Sequence, residues 1–214
     1  MNLIGSHIKV ILFDHDDTLV GTIEPKWAAH KHIAKTLYNK ELTDDEIRMH
    51  WGKPLRTFLG LIYGDNDTDR ALAREAATHN DFPKILLEDT LPVLEYLHNS
   101  GKRLGVITAT SRQSFEHDIS TLGIDISLFG YVQTQDDTKY HKPDPKVFER
   151  TLKWLDKNHI GKKEVLYIGD GLHDMHAALG ASFEFIGTGT GLVTTEEFHN
   201  NGVQAVTRLS ELVK

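Results

Sequence analysis

The stretch Lys9-Val10-Ile11-Leu12-Phe13-Asp14-His15-Asp16-Asp17-Thr18-Leu19 decides the fold. Its apolar run has the form of a strand buried on both faces, as in a parallel sheet, and it ends in three carboxylates within four residues. Those carboxylates stand at the strand's C-terminal end, the end outside which open α/β sheets bind their ligands. A single Asp there would serve as a turn or a helix cap. Three are harder to accommodate, because two like charges ~4 Å apart repel by roughly 4 kcal/mol at an effective dielectric near 20. The cluster calls for a positive partner, and a hard divalent cation with oxygen ligands, such as Mg²⁺, is the economical one.

Downstream of Leu19 the apolar spacing becomes helical and stays so to about Leu87. Trp27, Ile33, Leu37 and Tyr38 fit one helix face, Ile47 and Met49 a second, and Leu55, Phe58, Leu59 and Ile62 a third. Thr43-Asp44-Asp45-Glu46 has the form of a capping box. Gly64-Asp65-Asn66-Asp67 breaks the chain before an alanine-rich helix from Thr68 to Thr78. The pattern predicts a small all-α insertion over residues 21–88, and a core built from residues 1–20 and 89–214.

From Leu91 strands and helices alternate, the signature of an α/β fold. Strands are expected at Arg103–Ile107, Tyr131–Thr134, Val165–Ile168, Phe183–Ile186 and Gln204–Val206. Helices are expected at Leu91–His98, Ser111–Leu122, Pro145–Leu155 with proline in the first turn, Leu172–Leu179 ended by Gly180, and near Thr195–His199.

Composition narrows the function. The 214 residues suffice for one full core plus a small second domain. A formal charge of -7 gives no basic footprint for nucleic acid. The absence of cysteine excludes disulfides, thiolate metal sites and cysteine nucleophiles. No apolar stretch approaches the ~18 residues of a membrane span, and Met1 to His7 lacks the form of a leader. A cytoplasmic protein, monomeric by default and with neither membrane nor nucleic-acid partner, is expected.

Later strand ends carry further polar groups. Thr108 follows Gly105-Val106-Ile107; Lys142 lies in the stiff segment His141-Lys142-Pro143-Asp144-Pro145; and Tyr167-Ile168-Gly169-Asp170-Gly171-Leu172-His173-Asp174 repeats the form of a strand ending in carboxylate. Each alone has an ordinary reading as a helix cap or a solvated loop cation.

Taken in order, however, Asp14-His15-Asp16-Asp17-Thr18, Thr108, Lys142 and Gly169-Asp170 with Asp174 resemble the four motifs of the haloacid dehalogenase superfamily, in particular its phosphoglycolate phosphatase-like members. The resemblance implies a Rossmann-like core, a central parallel sheet flanked by helices, with a small helical cap inserted after the first strand. It implies that Asp14 is a nucleophile forming an aspartyl-phosphate and Asp16 the acid and base. It places Mg²⁺ on Asp14, the backbone carbonyl of Asp16 and Asp170, with Asp174 orienting that shell. Lys142 would be a cation beside the nucleophile, and Thr108 with Ala109 would bind a phosphoryl group. The substrate would be a small phosphorylated metabolite.

In the insertion, Trp51-Gly52-Lys53-Pro54-Leu55-Arg56 resembles a substrate-facing loop of such relatives, which makes Lys53 and Arg56 candidates for meeting an anion. A helix-joining turn with surface cations is the alternative. Two positions depart from the family pattern: Asp17 stands where many relatives have glycine, and Gly171 where many have Ser or Thr. His15 is expected to point away from the site if strand alternation continues, and His173 and His176 to be surface residues. Asp16 argues against dehalogenases and phosphonatases. Sugar-phosphate mutases share all four motifs, although relatives of that kind tend to carry histidine where Lys26 stands. A non-catalytic phosphate-binding regulatory module is the reading from another class.

Overall fold

The computed structural model describes residues 3–51, 53, 55–64, 68–78 and 81–213. The elements run β1 (Val10–Phe13), β2 (Val20–Gly21), α1 (Ile23–Tyr38), α2 (Asp44–His50), α3 (Leu55–Tyr63), α4 (Asp69–Thr78), β3 (Ile85–Leu86), α5 (Thr90–Asn99), β4 (Arg103–Ile107), α6 (Arg112–Thr121), β5 (Phe129–Gln133), α7 (Glu149–Lys157), β6 (Val165–Gly169), α8 (Leu172–Gly180), β7 (Glu184–Thr188), α9 (Thr195–Asn200) and β8 (Gln204–Val206). The chain divides into two compact units, Met1–Gly21 with Leu86–Lys214, and Thr22–Ile85.

The larger unit is built on a six-stranded sheet of order β5-β4-β1-β6-β7-β8, every pair of which is parallel. All strands therefore present their C-terminal tips at one edge. β1 lies at the centre, with Phe13 in register with Val106 of β4 and Ile168 of β6. Its four residues are fully buried because alternate side chains enter two separate cores. Ile11 and Phe13 join Val106, Ile168, Val93 and Leu94 of α5, and Phe115 and Ile119 of α6. Val10 and Leu12 join Tyr167, Leu155 of α7, Met175 and Ala178 of α8, and Phe198 of α9. Burying each such side chain contributes roughly 1.5–3 kcal/mol, so helices on both faces are what make an apolar four-residue strand stable. This is a Rossmann-like arrangement, as expected.

Among the described residues the smaller unit is a set of four helices around Trp27, Ile33, Ile47, Phe58, Leu59 and Ile62. Its α2 begins with the expected capping box: Glu46 N–H donates to Thr43 Oγ1 at 3.3 Å, and Thr43 N–H to Glu46 Oε2 at 2.8 Å. Two apolar residues assigned to buried faces are exposed instead, Met49 at 71% and Leu55 at 48%, so Ile47 alone carries the buried side of α2. Asp65 to Asp67 of the expected break lie outside the described residues, as do Gly52 and Pro54 of the Trp51–Arg56 loop.

Two helix boundaries also differ. The segment after Pro145 starts as a 3₁₀ turn, Pro145–Phe148, before α7 begins. Gly180 lies inside α8, and the residue beyond it that adopts the left-handed conformation is Ser182, with φ 68°. Among the described residues no helix is long and apolar enough to cross a membrane.

Candidate active site

Asp14 follows β1 directly, and its N–H donates to Ile168 C=O at 2.9 Å, continuing the β1–β6 ladder one residue past the strand. That bond fixes the carboxylate at the strand tip. Beyond it, His15 C=O accepts from the N–H groups of Leu19 (2.9 Å) and Val20 (3.1 Å), and the chain folds into a tight turn. Asp17 takes φ 56° in this turn, a left-handed conformation that glycine adopts freely and Asp tolerates. The departure from glycine at this position is thus compatible with the backbone.

β6 and the start of α8 bring in the second acidic group. Asp170 lies at the β6 tip, within reach of the Thr18 hydroxyl at 3.4 Å. Asp174, one turn into α8, is fully buried; its Oδ2 accepts from Gly171 N–H at 3.1 Å. The close fit depends on glycine at position 169, where an added Cβ would stand 2.6 Å from the Asp174 Cβ. A second close approach covers the other acid, since a Cβ on Gly191 would stand 2.0 Å from Asp170 Oδ2. The Gly191 loop is tied to the turn after β1 by Thr190, whose hydroxyl donates to Asp17 C=O.

Lys142 joins these groups. Its Nζ lies 2.8 Å from Asp14 Oδ1 and 2.7 Å from Asp174 Oδ1, and also 5.3 Å from the centre of the Tyr167 ring. Tyr167 in turn donates its hydroxyl to Ile107 C=O at 3.1 Å. Burial alone would favour neutral lysine, but Asp14 and Asp174 outweigh it and hold Lys142 well above its ordinary pKa. The ammonium therefore persists.

The carboxyl groups feel the opposite pressure. Burial raises Asp14 above the usual range although Lys142 acts against it, with Asp174 and Asp16 adding repulsion. Asp170 is raised further, by burial and then by the charges of Asp14, Asp174 and Asp17. One buried ammonium does not neutralise this set.

The remaining expected residues are placed as follows. Thr108 is buried at the β4 tip; its N–H donates to Gln133 C=O and its Oγ1 accepts from Thr110 N–H, both at 2.9 Å, so its own hydrogen remains available as a donor. Ala109 is exposed in the turn that follows. Asp16 is half-buried and accepts from the Thr110 hydroxyl at 2.8 Å. Lys53 and Arg56 belong to the smaller unit, where Lys53 Nζ lies 2.9 Å from His50 Nδ1 and Arg56 donates to Thr68 (3.0 Å) and Asp69 (2.6 Å).

Two residues that touch these groups have no distinguishing signal in the sequence. In the sequence Thr110 has the form of a helix start, and Gly191 carries no signal. His173 is on the surface as expected, yet its ring nitrogen and one carboxylate oxygen each from Asp14 and Asp174 lie within 4.8 Å of one another, a group able to hold a metal. His15 continues the strand alternation past β1: its ring lies on the face of Ile11 and Phe13, against Phe115 of α6, wholly buried and paired with Asp118 at 3.0 Å, while Asp14 faces Lys142.

Comparison with known proteins identifies the family. The model of the haloacid dehalogenase-like hydrolase family matches residues 11–188. A pyrophosphatase PpaX of Anoxybacillus flavithermus is 27% identical over 173 residues, 80% of this chain and 79% of that protein. The crystal structure of a haloacid dehalogenase superfamily hydrolase, subfamily IA, variant 1, from Geobacter sulfurreducens superposes with a TM-score of 0.76 at 21% identity. That match covers 100% of this chain and 98% of the other. The chain belongs to the haloacid dehalogenase-like hydrolases. It is an enzyme of that class, among relatives named as phosphatases.

Proposed function

We propose that the chain is a Mg²⁺-dependent phosphatase that hydrolyses a small phosphomonoester, of the phosphoglycolate type, through an aspartyl-phosphate on Asp14. The observation that carries this reading is the Lys142 ammonium set between Asp14 and Asp174 at the strand tips beside Asp170. It leaves a nucleophilic carboxylate positioned, and the acidic set still short of positive charge. Asp14 and Asp174 offer carboxylate oxygens close enough to share a metal, and Asp170 adds a neighbouring carboxylate, donors that suit a hard cation such as Mg²⁺. When bound there by Asp14, the backbone carbonyl of Asp16 and Asp170, with Asp174 orienting them, such an ion supplies charge neutralisation between an anionic nucleophile and an anionic phosphoryl group.

The chain's own groups account for the remaining steps. An Asp14 oxygen bonds to phosphorus as the bond to the leaving oxygen breaks, and Asp16 delivers a proton to that oxygen. Asp16, now a carboxylate, then takes a proton from the water that attacks the phospho-aspartate, which frees phosphate and restores Asp14. Thr108 donates its free hydrogen to a phosphoryl oxygen beside Ala109, and Lys142 offsets the charge there. The helical unit has the chain position of the family's cap, and Lys53 and Arg56 are its candidate cations for a substrate anion.

A phosphate-release screen over small phosphometabolites, with Mg²⁺ and with EDTA, tests this reading. Phosphoglycolate is the first compound. Pyrophosphate is the second, because relatives of this chain are named for it. Magnesium-dependent release supports the proposal, and its absence from every compound with folded protein overturns it.

A further inference from the structure

The catalytic turn contains a buried polar pair that the reaction just described does not use. His15 is fully buried and Asp118 nearly so, at 5% exposure, although 103 residues separate them. The Asp118 carboxylate accepts, so Nε2 of His15 carries the hydrogen, and Nδ1 has no partner among the described residues. Phe115 meets the imidazole edge-on at 5.0 Å between ring centres. An apolar side chain would fill this site without the cost of desolvating a histidine and a carboxylate, so the pair needs an explanation.

Its placement supplies one. Asp118 lies on α6, and the loop entering that helix carries Thr110, which donates to Asp16 at 2.8 Å. One helix and its lead-in thus hold the catalytic turn at two neighbouring residues, Asp118 at His15 and Thr110 at Asp16. A His15 nitrogen and carboxylate oxygens of Asp16 and Asp118 all lie within 4.8 Å of one another. The backbone of His15 is anchored separately, through its carbonyl, to Leu19 and Val20. The side-chain pair is therefore not needed to close the turn itself; it ties the turn to α6 beside the Asp16 carboxylate.

We propose that His15 and Asp118 are positioning residues that aim the Asp16 carboxylate at the leaving oxygen. The inference rests on the phosphatase reading above, with Asp16 as the proton donor. It predicts an effect that depends on the leaving group. An aryl phosphate departs with little protonation, whereas an alkyl phosphate needs the acid.

The test compares kcat/KM for p-nitrophenyl phosphate and for an alkyl phosphate in the wild type, Asp16→Asn, Asp118→Leu, Asp118→Asn and the double variant His15→Leu/Asp118→Leu. Thermal melting establishes that each is folded. Asp16→Asn sets the scale, since a positioned proton donor contributes roughly 10²–10⁴-fold. The expected result is that Asp118→Leu and the double variant lose about tenfold or more on the alkyl phosphate beyond their loss on the aryl phosphate. Asp118→Asn keeps a carbonyl acceptor for Nε2–H and recovers most of that loss. The double variant replaces both polar partners, so it remains informative where Asp118→Leu alone is unstable. Equal losses on the two substrates in an active enzyme overturn this inference alone. A folded wild type that releases phosphate from neither of these nor from any compound of the phosphometabolite screen overturns the phosphatase reading and the inference with it.

Discussion

Lys142 Nζ stands 2.7 Å from Asp174 Oδ1, with the lysine side chain 5% exposed and the aspartate wholly buried. Because the same ammonium reaches Asp14, its removal strands two carboxylates away from water. Lys142→Met is expected to destabilise the fold by about 3–5 kcal/mol in EDTA, the range for removing one partner of a buried pair. Urea unfolding of the two proteins checks this, and a loss below 1 kcal/mol would show the site to be wetter than its geometry.

Asp14→Asn separates chemistry from folding. Turnover is expected to vanish, while Lys142 keeps its contact with Asp174 and one repulsive charge is gone. The melting temperature should stay within about 4 °C of the wild type, the shift that about 1 kcal/mol produces in a chain of this size. Residual phosphate release by the purified variant would exclude Asp14 as the nucleophile.

Gly191→Ala places a methyl group where the Asp170 carboxylate now lies, 2.0 Å from Oδ2. Either the loop withdraws or Asp170 turns away, and both disturb the proposed metal shell. The Mg²⁺ concentration for half-activation is expected to rise roughly 10–100-fold, as for other changes that misorient a ligand. A magnesium titration of phosphate release measures it, and an unchanged midpoint would place Asp170 outside that shell.

His30 makes the helical unit sensitive to acid. It is buried among Phe58, Trp51 and Tyr63, with Nδ1 2.9 Å from the Tyr63 hydroxyl. Burial, with Lys26 adding to it, lowers its pKa to about 4 from an ordinary 6.5. Between those values the unfolded chain takes up a proton that the folded unit refuses. Stability is therefore complete above pH 6.5, declines by up to about 1.4 kcal/mol per unit as pH falls toward 4, and levels off below it. His30→Gln is expected to flatten this slope in melting curves recorded from pH 7 to 4. An identical slope in the variant would assign the acid sensitivity to other groups.

The strands of the core were readable because each is a short apolar run needed on two faces. Three of the four motif positions were readable because Asp14, Thr108 and Asp170 all end or follow such runs. Lys142 was readable only by its place between the other motifs, since nothing local to His141-Lys142-Pro143 says that the ammonium is buried. Contacts across the fold were not readable at all. The His15–Asp118 pair joins residues 103 positions apart, and Thr110 has the same local signature whether it starts a helix or holds Asp16. Gly191 matters through a carboxylate from another loop, which leaves no trace in its own neighbourhood. Boundary errors were local: Ser182 rather than Gly180 takes the left-handed conformation beyond α8, and Met49 has helical spacing but faces solvent.

The central position of β1 has a consequence for the protein's birth. One of its neighbours, β6, is synthesised about 150 residues after it. At roughly 5–20 residues per second, a nascent chain holds the Val10–Phe13 edge without its second partner for on the order of ten seconds. That edge is a short apolar template open to pairing with other chains. It carries the proposed nucleophile at its tip, so no truncated product ending before β6 can assemble the site, and a stalled ribosome would release an aggregation-prone chain with no activity.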